Sequence, residues 1–428
     1  MKHSNLIGVD VSETSVKVLQ LDINNRVTAF GKADLPIGVI EKGVITNLAE
    51  FSRILNNLLE TTKPNILRNE DSILRAVLCV PESKLFSYYV TVPASVSQAD
   101  EKAYLYDEAS KIIPVEMDSL YSNYHVATEN GIRRATFLGI KKNYLNNYIK
   151  AFTQAKVEPA FIGGELFAIG RAVLNSPPLE EDCMIVDIGD KSTSIGMFSV
   201  DAVPNLSVLV KQGGQYFTEF LASKLAISIE NAETMKREFG LDATHEATQV
   251  PSLLRECLAP IIDKIISAQT HFEQRTGSPI KHIIISGGSA LMPKLDTFIA
   301  EKVGVETSIA NPFTKIRNYD FVANNTNAVF MTNVIGLAIC ANQADLAHIN
   351  FLAQYLEEND EAESSPEFDV MTNGLVQKLS DYRKAFSVSK LQSILLLFKT
   401  NTNFKLVASL FALLLAVVIL LLVINRYM

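Results

Sequence analysis

Two aspartates in this 428-residue chain stand in matching settings. Asp187 lies in the apolar run MIVDI at residues 184–188, ahead of the turn Gly189-Asp190-Lys191. The chain returns over residues 192–198, the pattern of a β-hairpin with one carboxylate at its tip. Such an acid either bonds its own turn's amides or presents charge to a ligand. A second copy near the N-terminus favours the ligand: LIGVDVSETSVKV at residues 6–18 aligns Asp10 with Asp187, Ser12 with Gly189 and Ser15 with Ser192. Two such units far apart predict two related half-domains, each aiming an acid and a ring of turn amides into a shared cleft. Phosphates held between the hairpins beside a divalent metal are the chemistry that suits it. A third stretch, an apolar strand at residues 281–286 feeding Gly287-Gly288-Ser289 and a helix from 293, is where backbone closely approaches a ligand.

The elements that must position these residues follow in order. A helix is expected at 48–59 and a strand at 72–81, ended by Pro81. Strands at 86–92, 121–127 and 133–140, a helix at 97–113 capped by Ser97, and a helix at 144–155 read as an α+β module inserted into the first half-domain. It carries no catalytic cluster, and lone His125 reads as structural or superficial. Residues 161–174 are expected to be a helix, with Pro177-Pro178 as the hinge to the second half-domain. Gly213-Gly214 then leads into helices at 215–225, 230–239 and 251–276, and a further helix at 293–303 follows the glycine turn.

Bulk properties bound the function. The length predicts two to four domains. A formal net charge of −8 argues against nucleic acid as the main partner. Cys79, Cys183, Cys257 and Cys340 form no CxxC pair and read as reduced core residues rather than disulfides or zinc ligands. The opening MKHSN leads straight into an expected strand, so no signal peptide is expected. Residues 406–424 carry no charge and only Ser409 as a polar residue, so a transmembrane helix is expected there. Arg383, Lys384, Lys390, Lys399 and Lys405 precede it and Arg426 follows, which predicts a cytoplasmic body.

In this order, the two hairpins and the strand-Gly287-Gly288 unit are similar to the phosphate 1, phosphate 2 and adenosine motifs of the actin/Hsp70/sugar-kinase ATPase superfamily. Residues 2–343 resemble the PilM family of type IV pilus assembly. The resemblance rests on IGVDVSETSVKVLQL, VTVP, DEASKIIPVEMDSLYSNYHV, VDIGDKSTSIGMF, NAETMKREFG, ISGGSALMPKLDTFI, ANPF at 310–313 and GLAI at 336–339. It implies an α/β, actin-like (ribonuclease H-like) two-lobed ATPase fold with an inserted 1C subdomain, as in the cell-division protein FtsA. Subdomain 1A would comprise 1–84 and 159–180, 1C 85–158, 2A 181–212, 2B 213–280, and 281–343 would complete 2A and supply a closing helix on 1A. The implied cofactors are ATP and Mg2+. Asp10 and Asp187 would hold the metal, with Ser12, Glu13, Thr14, Gly189, Asp190, Lys191 and Ser192 around the phosphates. Gly213 and Gly214 would line the phosphate side, Glu233 and Lys236 the ribose and adenine, and Gly287, Gly288 and Ser289 the base. Relatives carry glycine at Ser12 and small residues at Asp190-Lys191. A Cβ restricts positive φ and phosphate approach, and Asp190 repels phosphate while Lys191 offsets it, so binding with slow hydrolysis is expected.

The tail departs from the family. HINFLAQ at 348–354 resembles the Ile-Asn-Leu-Leu-Pro peptide with which PilN proteins engage PilM. An acidic stretch with Glu357, Glu358, Asp360, Glu361, Glu363, Glu367 and Asp369 reads as a solvated linker, and VSKLQSILLLF at 388–398 as an amphipathic helix before the span. Ile349, Phe351 and Leu352 are expected to anchor in a groove of the body while Asn350 bonds its backbone; the alternative is a helix running on from near Ala328. The resulting expectation is an ATP-binding scaffold of the bacterial inner-membrane platform of a type IV pilus or related type II secretion machine, single-pass, with nucleotide as conformational ligand. Its expected partners are PilN/PilO-like proteins, the assembly ATPase, membrane lipid and further copies of itself. The alternatives are an FtsA-like division protein and a small-molecule kinase, for which no base stands out.

Overall fold

The computed structural model describes residues 6–66, 73–129, 131–175, 179–199, 201–324, 326–342 and 349–362. In the first lobe β1 (Leu6–Val11), β2 (Ser15–Leu21) and β3 (Val27–Asp34) form an antiparallel meander. The short strands β4 (Ile40–Glu41) and β5 (Val44–Ile45) pair together, and helix α1 (Leu48–Thr61) follows. Asn47 caps α1 by accepting the Glu50 N–H, and the apolar face of the helix buries Phe51, Leu55 and Leu58. Strand β6 (Leu74–Val80) then lies parallel to β1.

Strand β7 (Leu85–Val92), helix α2 (Glu101–Ser110) and strands β8 (Leu120–Glu129) and β9 (Ile132–Lys141) make a separate antiparallel sheet of order β7-β9-β8. Helix α2 starts later than expected: the Ser97 Oγ accepts the Asp100 N–H and donates to the Asp100 carboxylate, but the turn it closes is not helical, and the helix begins at Glu101 with Asp100 as its N-cap. Helix α3 (Lys142–Gln154), expected within the inserted module, packs on α1 of the lobe, with the Phe152 and Phe51 rings 5.5 Å apart. Strand β10 (Val157–Gly164) pairs parallel with β6, and helix α4 (Glu165–Val173) follows. The first four residues of the helix expected over 161–174 are thus strand, and the helix begins at Glu165. A strand buried on both faces reads as a continuous apolar run, which periodicity cannot separate from a helix.

The second lobe repeats the design. Strands β11 (Cys183–Ile188), β12 (Thr193–Phe198) and β13 (Leu206–Val210) form a meander. Helices α5 (Gly214–Leu225), α6 (Ile229–Phe239) and α7 (Val250–Thr276) precede β14 (His282–Ser286), helix α8 (Leu295–Val303) and β15 (Glu306–Ile309). Its strand order β13-β12-β11-β14-β15 matches β3-β2-β1-β6-β10 of the first lobe, position for position. After the short α9 (Asp320–Ala323), helix α10 (Thr332–Asn342) packs against β1 and α4. A Cβ on Gly8 would stand 2.5 Å from the Ala338 nitrogen, and one on Gly336 only 1.8 Å from the Ala168 oxygen. These glycines let three backbones meet beneath the first hairpin.

Met1–Tyr355 form one unit and Leu356–Met428 a second. Helix α11 (Leu352–Ala362) takes in Glu357, Glu358, Asp360 and Glu361, so the start of the expected linker is helical. No helix among the described residues is long and apolar enough to cross a membrane. The expected span at 406–424, the helix at 388–398, the remaining linker acids and Pro177-Pro178 lie outside the described residues. All four cysteines are free.

Candidate functional site

Both hairpin tips form as the duplicated sequence requires. In the first, the Ser12 N–H donates to Ser15 O and the Ser15 N–H to Ser12 Oγ, so Ser12 is folded into its own turn. In the second, the Gly189 N–H donates to Ser192 O, while the Gly189 and Asp190 carbonyls accept the Gly214 and Gln215 N–H groups at the start of α5. A Cβ on Gly213 would lie 2.5 Å from Gly189 O, which explains the glycine. Ser12, Asp190 and Lys191 are absent from the residues with positive φ, so the backbone strain anticipated at them does not arise. The tips meet: Lys191 Nζ donates to Glu13, whose other oxygen accepts the Gly43 N–H at 3.0 Å. Thr14 is exposed.

Beneath the tips lie the acids. Asp10 is buried and pairs with Lys17 at 2.8 Å, directly across the β1–β2 register. Burial, with the charge of Asp10 adding, pushes Asp187 up to about 6, although Ser286 and Lys17 work against the shift. Glu165, at the start of α4, accepts from Asn333 Nδ2 at 2.8 Å, and burial together with Asp187, Asp10 and Glu82 holds it well above the carboxylate range. Glu82 accepts the Leu166 N–H, and burial raises it to about 7. Neither tip aspartate caps its own turn in the hydrogen bonds of the described residues.

Lys17, Glu82 and Glu165 escaped the sequence reading. Lys17 had a usable signal, since the hairpin register sets it opposite Asp10; Glu82 and Glu165 are single acids beside apolar runs that become neighbours only through β6–β10 pairing.

A third group of site residues converges behind the second tip. Lys236 is buried and donates to Gly214 O at 3.0 Å and Thr218 Oγ1 at 2.8 Å, and it pairs with Glu233 at 2.6 Å. Burial acts upward on Glu233, but bonds from Lys236, Thr218 and Arg237 outweigh it and bring the carboxyl to about 2. Ser289 is buried, and its Oγ lies 2.7 Å from where a Cβ of Gly214 would stand. Gly287, at φ +83°, stacks its backbone on Ile188, so its glycine serves packing between β14 and the hairpin. Gly288 faces the half-exposed ring of Phe330. Contacts thus link the two tips to each other through Lys191 and Glu13, and the second tip to the Lys236 group through Gly214.

The profile of the type IV pilus assembly protein PilM matches residues 8–340, more than three-quarters of the chain. The chain belongs to the PilM family. It is also similar to the cell division protein FtsA of Neisseria meningitidis serogroup B, at 25% identity over 343 residues, covering 71% of this chain and 82% of that one. A solved PilM-PilN type IV pilus biogenesis complex superimposes with a TM-score of 0.65 at 16% identity, covering 80% of this chain and 100% of that one, which shows the actin-like ATPase fold.

This PilM-family chain holds a second built site. After α10, residues 349–355 lie between the free edge of β10 and the edge of β8. The Phe351 N–H donates to Ile162 O at 3.0 Å, and the Ile162 N–H donates to Asn350 Oδ1 at 3.1 Å. From β8, Asn123 Nδ2 donates to Asn350 O at 3.0 Å and the Ser122 N–H to Gln354 Oε1 at 2.6 Å. Ile349, Phe351 and Leu352 are buried in the first-lobe core, and the Tyr355 ring meets Tyr121 edge-on. Residues 349–351 are not helical, so this part of the segment does not carry the helical run that the alternative reading expected.

Proposed function

We propose that this PilM-family protein binds ATP with magnesium between its hairpins. We further propose that it acts as a scaffold in the inner-membrane assembly platform of a type IV pilus or related type II secretion machine. Cleft closure, not turnover, is the output. The observation that carries the reading is the pair of symmetry-related tips, with Asp10 and Asp187 beneath them and Glu13–Lys191 between them. The residues fit a magnesium ion. Asp10, Asp187 and Glu165 crowd one another, and this hard cation needs only one or two carboxylates when phosphates supply further oxygens. Asp10 and Asp187 would hold it, and it would supply charge neutralisation on the phosphates.

Lys17 and Lys191 have phosphate-binding chemistry but are engaged by Asp10 and Glu13, so nucleotide entry exchanges those ion pairs for phosphate contacts. Glu165 is the group placed to orient an attacking water. PilN/PilO-like proteins, the assembly ATPase, lipid and further copies of the chain are the partners this reading assigns. The similarity to FtsA favours a second reading, a membrane-associated division protein; the proteins captured with the full chain from detergent-solubilised membranes decide between the two.

Titration calorimetry with ATP and magnesium tests the site. Asp10→Ala and Asp187→Ala should each weaken binding by the roughly 1.5–3 kcal/mol of hydrogen bonds to charged groups. Steady-state hydrolysis should stay well below the ~10 per second of a median enzyme, and Glu165→Gln should abolish the remainder while leaving affinity intact. Wild-type affinity in both aspartate variants overturns the reading.

A further inference from the structure

Outside the cleft, a cavity of about 460 Å³ opens where the first lobe meets the inserted module, a size that suits a small ligand. Val44 and Phe86 form an apolar wall with the Tyr144 ring, and Lys84 and Lys141 face them. Beside Ser83, Asn143 and Asn147, its charged lining consists of these two cations, with no acid in the lining. Neither lysine enters an ion pair among the described residues; Lys84 Nζ lies 5.4 Å from the centre of the Tyr144 ring. Helix α3 starts on the cavity wall with Lys141 at its N-cap, no side-chain cap and no acid in its first turn. Helix N-termini carry positive partial charge and favour acidic neighbours, so a lysine there adds repulsion that a bound anion would relieve. Burial, together with repulsion from Lys141 and Lys42, lowers the Lys84 pKa against the pull of Glu13, in keeping with missing counter-charge.

We propose that this cavity binds a small phosphate monoester carrying a flat apolar body. The dianion takes Lys84, Lys141 and the free N–H groups of the first turn of α3, and the body lies on Phe86 and Tyr144. A phosphate offers more acceptor oxygens than a carboxylate to this many donors. The phosphate can belong to a soluble ester or to a lipid headgroup.

The probe is phenyl phosphate, titrated into the full chain in detergent with ATP and magnesium saturating the cleft and read by ligand-observed NMR. Phenyl phosphate should bind more tightly than inorganic phosphate or phenol. Lys84→Gln with Lys141→Gln should weaken it roughly ten- to hundredfold, the cost of losing bonds to a charged group. Lys224→Gln with Lys302→Gln, which removes equal charge elsewhere, should leave it unchanged. A second arm uses phosphatidylcholine vesicles with and without phosphatidic acid. Stronger capture by phosphatidic acid that disappears in the Lys84/Lys141 variant identifies a lipid headgroup, and preference for phenyl phosphate identifies a soluble ester. No binding of either probe, or equal loss in both double variants, overturns the proposal.

Discussion

At the scale of single residues, the floor of the cleft holds more carboxyl groups than it can keep ionised. Asp187 is raised to about 6 and Glu82 to about 7, and Glu165 moves the same way, chiefly through burial. A carboxyl whose pKa is higher folded than unfolded binds an extra proton in the native state. Its stabilisation is fully present below the unfolded pKa and is lost as pH rises through the folded value. With unfolded values near 4, the window for Asp187 and Glu82 runs from about pH 4 to about pH 7. The nucleotide-free protein should therefore melt at lower temperature at about pH 8 than at about pH 5 on account of this cluster. Glu82→Gln keeps an acceptor for the Leu166 N–H but cannot ionise, so it should flatten the slope. Magnesium and ATP should recover more stability at the higher pH, where the acids are charged. Parallel calorimetric profiles for wild type and Glu82→Gln across that range would refute the assignment.

Among the elements, helix α10 fixes where the first hairpin stands, because it crosses both β1 and α4 at glycines. The Cβ of an alanine at 336 would overlap the Ala168 carbonyl oxygen at 1.8 Å, and neither backbone can yield without moving Asp10 or Glu165. Gly336→Ala should cost at least the ~3 kcal/mol at the upper end of overpacking, measured as a lower urea midpoint at unchanged slope. Unchanged stability would mean that α10 slides freely. What the sequence makes legible follows from locality. The hairpins, α1 and α5 to α8 announce themselves by alternation, helical spacing and glycine turns. Strand β10 does not, because AFIGGELFAIG is apolar except for Glu165 and its pairing with β6 spans the whole inserted module. Glu165 went unread for the same reason, since its neighbours Asp10, Asp187 and Asn333 come from three other elements. Lys17, also missed, differs, because the register of one hairpin would have been enough to find it.

For the molecule as a whole, the segment at 349–355 closes two sheet edges at once, joining the first-lobe sheet to the inserted module's sheet. Six residues, 343–348, tether it to α10. A short tether keeps a segment at roughly millimolar effective concentration, worth about 4 kcal/mol relative to a free peptide at about 1 μM. Phe351 is fully buried, and truncating such a side chain costs about 3–5 kcal/mol, enough to cancel that advantage. Phe351→Ala should consequently release the segment while leaving the lobes folded, because Phe351 belongs to no strand or helix of either lobe. Limited proteolysis should then cut near 343–355 many times faster than in wild type, and a synthetic peptide of residues 348–354 should bind the variant but not the wild type. Crosslinking in a mixture of tagged and untagged chains separates docking within a chain from exchange between copies. A variant as protected as wild type, with no room for the added peptide, would mean that the segment is an ordinary part of the core and not a ligand held on a leash.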